Sequence, residues 1–144
     1  MKHSLLLLLI TAPLLICSCS SDDEKYGDWE PMEWVASGNI TTEEGYFVVE
    51  PEAATVHFTC KNYTAPWITQ VQYSTGTIIT KDDDAHRLQT DWFDANMTGN
   101  KLTVAFEKNN TDTERVVSFV VTAGDIFTTL PIKQKQRIMP IDKK

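Results

Sequence analysis

The sequence predicts an all-β fold, built as one two-sheet sandwich, and three observations carry that prediction. Apolar and polar residues alternate over three separate stretches, and Gly-Asn or Gly-Asp pairs punctuate them. Between residues 39 and 134 no apolar period of 3.6 runs long enough for a substantial helix. In order, the chain reads as a leader (1–18), a linker (19–38), the sandwich (39–136) and a basic tail (137–144).

The leader opens with Lys2 and His3, and an apolar block follows from Leu5 to Ile16, broken only by Thr11, Ala12 and Pro13. That block is too short for a bilayer span, which needs roughly 20 apolar residues. A positive start and an apolar middle are those of a secretory signal. Its end, Ile16-Cys17-Ser18-Cys19, has the form of a bacterial lipoprotein signal, with a branched aliphatic residue three positions before a cysteine and a small residue just before it. Cys19 satisfies both conditions. Cys17 follows the bulky Ile16 and is expected to leave with the leader. A paired-cysteine metal or redox site is disfavoured by the spacing, since such sites normally place two or more residues between their cysteines.

The linker begins Ser20-Ser-Asp-Asp-Glu24, which resembles the acidic tag that directs Bacteroidetes lipoproteins to the outer face of the outer membrane. Dense like charge also keeps such a stretch extended and hydrated. Trp29, Met32 and Trp34 follow in a string without a period of 2 or 3.6. They are costly to leave in water, so one or both tryptophans are expected to fold back on the domain, with contact to a surface protein partner as the alternative.

Without residues 1–18, 126 residues remain with 12 basic and 20 acidic side chains, a net charge of −8. From Lys133 onward the balance is +4, leaving −12 on Ser20 to Ile132. An acidic body of that size argues against nucleic acid, whose phosphates must be neutralised by Lys and Arg.

Strand by strand, Val56, Phe58 and Cys60 alternate with Thr55, His57 and Thr59. Leu102, Val104 and Phe106 alternate with Lys101, Thr103 and Ala105, and Val117, Phe119 and Val121 with Ser118, Val120 and Thr122. A period of 2 with one apolar face is what a sandwich strand requires. Gly99-Asn100 and Gly124-Asp125 suit tight hairpins, which need positive φ. The expected core is Val56, Phe58, Trp67, Leu102, Val104, Phe106, Val117, Phe119, Val121, Leu130 and Ile132. Pro131 cannot donate to a ladder, which places it at an edge or with its amide position facing away from a partner.

The series "APWITQV" (65–71), "DWF" (91–93), "KLTVAFEKNNTDTERVVSFVVTAG" (101–124) and "TTLPIKQK" (128–135) resembles the BACON domain, a Bacteroidetes-associated carbohydrate-binding module that is often N-terminal. The likeness covers about residues 46–136. It implies a single immunoglobulin-like antiparallel β-sandwich and glycan binding, with Trp67, Trp92, Arg115 and Gln134 matching recurring residues of the family. The middle segment 75–89 is longer and more polar than the family pattern.

Little in the sequence points to catalysis or to a cofactor. After the leader only His57 and His86 remain, and His57 and Cys60 have opposite strand parity, against a Cys-His dyad. Asp82, Asp83 and Asp84 are adjacent and splay in extended chain, which does not suit calcium or another metal. No phosphate loop, nucleophile elbow or zinc pattern occurs, and a non-enzyme is expected. The Asn-x-Thr triplets at Asn39, Asn62, Asn96 and Asn109 read as turn chemistry. For glycan binding, Tyr63, Trp67, Tyr73 and Trp92 offer rings for sugar faces, and Asn62, Asp91 and Asp94 offer partners for hydroxyls, all expected near one end of the sandwich. A structural spacer, accessory subunit or inhibitor at the cell surface is the alternative, with Trp29 and Trp34 as its contacts.

Overall fold

The computed structural model describes residues 29–73, 76–79 and 86–138. The leader, Cys19, the acidic run, Asp82 to Asp84 and residues 139–144 of the tail lie outside the described residues.

Eleven strands and no helix make up the described chain. They are β1 (Trp34–Ser37), β2 (Thr41–Glu43), β3 (Tyr46–Val49), β4 (Ala54–Cys60), β5 (Trp67–Tyr73), β6 (Gly76–Ile79), β7 (Arg87–Gln89), β8 (Phe93–Thr98), β9 (Lys101–Phe106), β10 (Arg115–Ala123) and β11 (Ile126–Gln134). A five-stranded sheet has the order β1-β4-β9-β8-β7, and a six-stranded sheet has the order β2-β3-β11-β10-β5-β6. This is the immunoglobulin-like arrangement of two packed sheets. All pairings are antiparallel except β3 with β11, which is parallel from Ile132↔Phe47 to Gln134↔Val49. The immunoglobulin-like antiparallel sandwich expected from the sequence is thus found, with this one parallel ladder within it.

The domain starts earlier than the sequence suggested. Trp34–Ser37, read as linker, is the edge strand β1 and pairs with β4 from Trp34↔Cys60 to Ser37↔His57. Linker and sandwich are joined by Gly38, where the chain crosses from one sheet to the other at φ 111°. A Cβ there would stand 2.9 Å from the Thr55 carbonyl oxygen, so only glycine fits. Gly99 and Gly124 take positive φ in the two hairpins that the sequence placed there.

The core follows the strand alternation. Val56, Phe58, Leu102, Val104, Phe106, Val117, Phe119, Val121, Leu130 and Ile132 are buried as expected, joined by Val49, Ile68, Val71, Phe93, Ala95 and Met97. Each large side chain among them contributes about 1.5–3 kcal/mol by leaving water. Phe93 bridges the sheets edge-on to Phe119 at 5.6 Å, and Phe47 meets Phe58 likewise at 4.8 Å. Pro131 sits just before the residues of β11 that pair with β3, so its missing N–H falls where that ladder has not begun.

One expected core residue is elsewhere. Trp67 is 36% exposed, while its neighbour Ile68 is fully buried. The cause is a bulge. Opposite β10, Gln70 pairs with Val120 but Ile68 pairs with Val121, which leaves Thr69 as an extra residue. Strict alternation puts Trp67 on the same side as the buried Val71; the extra residue turns it to the outer face. The Thr69 hydroxyl donates to the Val120 carbonyl at 3.1 Å and holds the irregularity in place.

Candidate functional site

The residues singled out in the sequence do not converge on one end. β4 finishes and β5 starts at one end of the sandwich, so Asn62, Tyr63 and Trp67 lie there, beside the Gly99 and Gly124 hairpins. β8 starts and β9 finishes at the other, which carries Asp91, Trp92 and Asp94, with Tyr73 where β5 ends. The single aromatic cluster expected from sequence is therefore two separate groups.

At the Trp67 end, Asn62 and Tyr63 are committed to the chain's own N-terminal segment. The Asn62 side chain donates to the Pro31 carbonyl at 2.8 Å and accepts from the Glu33 amide at 3.0 Å. Tyr63 donates its hydroxyl to the Glu30 carbonyl at 2.6 Å, and the Lys61 amide donates to the Glu33 carbonyl at 2.8 Å. Met32, between them, is buried. This four-bond clasp fixes residues 30–33 against the β4–β5 loop. Trp34 then packs against the core, and Trp29 stays 63% exposed. Of the two tryptophans expected to fold back or meet a partner, Trp34 does the first and Trp29 is free for the second.

Trp67 stands on the outer face of the six-stranded sheet, in register with Thr122 of β10, which is in register with Phe127 of β11. Thr122, between the two rings, is buried to 2%, while Phe127 is 63% exposed. Its hydroxyl is 2.7 Å from both the Gly124 and the Ile126 carbonyl oxygens, so it stiffens the hairpin that presents Phe127. The next register rows on this face are Gln70, Val120 and Thr129, then Gln72, Ser118 and Pro131. The result is a sheet face with two aromatic side chains, amides and hydroxyls.

The Trp92 end is built differently. Trp92 is half-buried, edge-on to Phe93 at 4.9 Å and tilted over Phe106 at 5.9 Å. The Arg115 guanidinium lies 5.6 Å from its ring centroid, a cation–π contact. Asp94 accepts from Arg87 at 3.1 Å, Asp91 is exposed, and Tyr73 packs against the core. Two buried side chains tie the strand ends together. Asn109 donates to the Thr113 and Lys135 carbonyls at 2.8 and 3.0 Å and accepts from the Thr111 amide and hydroxyl at 3.1 and 2.7 Å. Gln134 donates to the Glu107 carbonyl at 2.8 Å. The Asn109-x-Thr111 triplet is thus turn chemistry: its threonine closes the turn on its asparagine.

Elsewhere, Cys60 is fully buried, and His57 on the opposite parity bonds the Thr103 hydroxyl at 3.0 Å. Among the described residues no three His, Cys, Asp or Glu side chains gather as a metal site would require. Lys135 lies between Glu50 at 2.9 Å and Glu43 at 3.7 Å. The hydrogen bond it donates to Glu50 and then the charge of Glu43 hold its ammonium above the ordinary lysine value of 10.5.

Phe127 is the residue that sequence reasoning missed. The signal was present, since Leu130 and Ile132 point inward and odd-numbered Phe127 and Thr129 must face out. Its neighbourhood with Trp67 was not visible, because the bulge that turns Trp67 outward leaves no mark in the composition of β5.

No known family matches the chain, and no curated protein does. Among solved structures, an NMR structure of a protein from Bacteroides thetaiotaomicron is similar, with a TM-score of 0.65 and 25% identity. The likeness covers 85% of this chain and 99% of that one. Both chains share the sandwich.

Proposed function

We propose that this chain is a membrane-anchored, non-catalytic β-sandwich that binds glycan through the outer face of its six-stranded sheet. The observation that carries this reading is the row Trp67, Thr122, Phe127, with two exposed aromatic side chains held in register on one sheet face. Sugars present apolar C–H faces that stack on such rings, and their hydroxyls find partners in Gln70, Gln72, Ser118 and Thr129 alongside. Trp67 is the one expected sugar-contact residue retained in this site. Asn62 and Tyr63 serve the clasp, and Tyr73 and Trp92 serve the core.

The anchor in this reading is a lipid on Cys19, with Ser20 to Glu24 as the export tag that places the sandwich on the outer face of the outer membrane. The order of motifs supports kinship with the BACON domain. Purified full chain should migrate more slowly in native gels containing a polysaccharide it binds. Trp67→Ala should abolish that retardation, and a broad panel of host and dietary polysaccharides without any retarding member would end the glycan reading. Labelled fatty acid should enter the wild-type chain in cells and not Cys19→Ala; incorporation into that variant would refute the anchor.

A specific observation also favours a protein contact at Trp29, which is 63% exposed on a segment held rigid by the clasp. Trp29→Ala should then release a co-purifying surface protein without changing unfolding. Retention of every partner would remove this reading.

A further inference from the structure

Resting on the glycan reading of the Trp67 face, we propose that its ligand is a neutral, linear polysaccharide bound along its length across the strands. Three features of the face lead there.

The first is its charge. The chain from Ser20 to Ile132 carries −12, and its described residues, with 12 acidic and 5 basic side chains, carry −7. Yet the three rows around the rings hold no ionisable side chain: Trp67, Thr122, Phe127; Gln70, Val120, Thr129; Gln72, Ser118, Pro131. Extending the last row to β6 adds Thr77, also neutral. The first charge along the outer side of β11 is Lys133, which is engaged by Glu114 at 3.6 Å and by the Tyr46 ring at 4.9 Å. Asp125, exposed in the turn before Phe127, adds negative charge beside the rings. On these rows a uronate, sulfate or sialate would lose its hydration without meeting a cation among them, in a chain whose net charge has its own sign. A neutral sugar meets amides and hydroxyls instead.

The second is the spacing of the rings. Trp67 and Phe127 are separated by one intervening strand, so their backbones lie roughly 10 Å apart at ordinary strand spacing. That is wider than one pyranose ring, so a single sugar cannot cover both. Several linked units can, when they run along the row, perpendicular to the strands.

The third is shape. The row is open at both ends: β6 pairs with β5 only from Gln70 to Tyr73, and β3 with β11 only from Ile132 to Gln134, so no described strand flanks Trp67 or Phe127 on its outer side. No described strand there forms the end wall that recognition of a chain terminus needs. Recognition then rests on the repeating interior of a polymer, and affinity should grow with chain length until both rings are spanned.

The test compares the full chain and Phe127→Ala in native gels containing neutral linear polysaccharides (a xylan, a mixed-linkage glucan, a mannan) or acidic ones (polygalacturonate, a sialylated mucin). Matched oligosaccharides of two and six units provide titrations. Expected is retardation by at least one neutral polymer and by neither acidic one. Six units should bind at least tenfold tighter than two, and Phe127→Ala should remove about tenfold from the longer ligand while changing the shorter one less than twofold. Stronger binding of an acidic polymer that Trp67→Ala abolishes would overturn this inference and leave the glycan reading standing. Equal affinity for two and six units would overturn it in the same way. Retardation by no polymer at all would end both. Phe127 is exposed, so its variant folds; coincident thermal unfolding curves serve as the control.

Discussion

The two ends of the sandwich are closed in opposite ways, and tryptophan shows it most clearly. At one end Trp92 is wrapped by Phe93, Phe106 and the Arg115 guanidinium, beside the fully buried Asn109 and Gln134. At the other, Trp67 is turned to the surface by a bulge, and the loop beside it is occupied by the chain's own N-terminal segment through exposed hydrogen bonds. Buried polar groups are costly to leave unpaired, and exposed ones are not, because water replaces the lost partner. The Trp92 end should therefore carry stability, and the Trp67 end should carry contacts with other molecules. Substitutions at each end test that division.

The largest effect is expected at Trp92. Trp92→Ala removes an indole packed on two core phenylalanines and leaves the Arg115 guanidinium over a hole. The loss should be about 3 kcal/mol, at the low end for buried aromatic truncation because the ring is only half-buried. Thermal unfolding should fall by roughly 10 °C for a domain of this size. A fall of under about 3 °C would mean that this end does not bear the stability assigned to it.

Next comes Asn109→Ala, with an expected loss of about 2 kcal/mol. The variant removes a fully buried amide and takes a partner from the Lys135 and Thr113 carbonyls and from the Thr111 amide, although the Thr113 carbonyl keeps the Thr111 hydroxyl. Asn109→Asp is the sharper control. Its second oxygen would face those two carbonyls, so it should be no better than alanine in chemical denaturation, although it keeps the shape.

Much of this contrast was legible in the sequence, and the illegible part has a physical cause. Alternation in β4, β9 and β10 gave the buried face residue by residue, because period 2 in an antiparallel sandwich leaves no freedom once one face is buried. Cys60 and His57 fell on opposite sides for the same reason. The hairpins at Gly99 and Gly124 were legible from turn chemistry. Trp67 was misplaced because a bulge inserts one residue without any compositional signature, and parity beyond it is inverted. The grouping of Asn62, Tyr63 and Trp67 with Trp92 failed for a different reason: which strand end a residue occupies depends on chain direction across the two sheets, and spacing in sequence does not encode it. β1 was read as linker because its four residues are too few to show a period, and its pairing with β4 is a tertiary contact.

At the Trp67 end, Asn62→Ala should cost only about 1 kcal/mol, since its bonds to Pro31 and Glu33 are exposed and the third, accepted from the Cys60 thiol at 3.6 Å, is weak. The specific consequence is local. The Glu33 amide, now held by Asn62 at 3.0 Å, should exchange with solvent faster by an order of magnitude or more. Amides in β9 and β10 should keep their rates. Equal acceleration everywhere would show that the clasp supports the whole fold and would erase the contrast between the ends.

The smallest stability effect belongs to Phe127→Ala, within about 0.5 kcal/mol of wild type, because the ring is 63% exposed and its strand neighbours Ile126 and Thr128 keep their places. An aromatic side chain of this size on a sheet surface, in register with a second one, contributes almost nothing to folding that a smaller residue would not. Its cost is aggregation risk, since exposed apolar area of this kind is what β-sheet surfaces otherwise avoid. A residue that gives little to the fold and adds hazard to the surface is best explained by an occupant. If denaturation instead shows Phe127→Ala to be destabilised by 2 kcal/mol or more, the ring is part of the packing over Thr122, and the outer face loses its claim to be the working surface of the molecule.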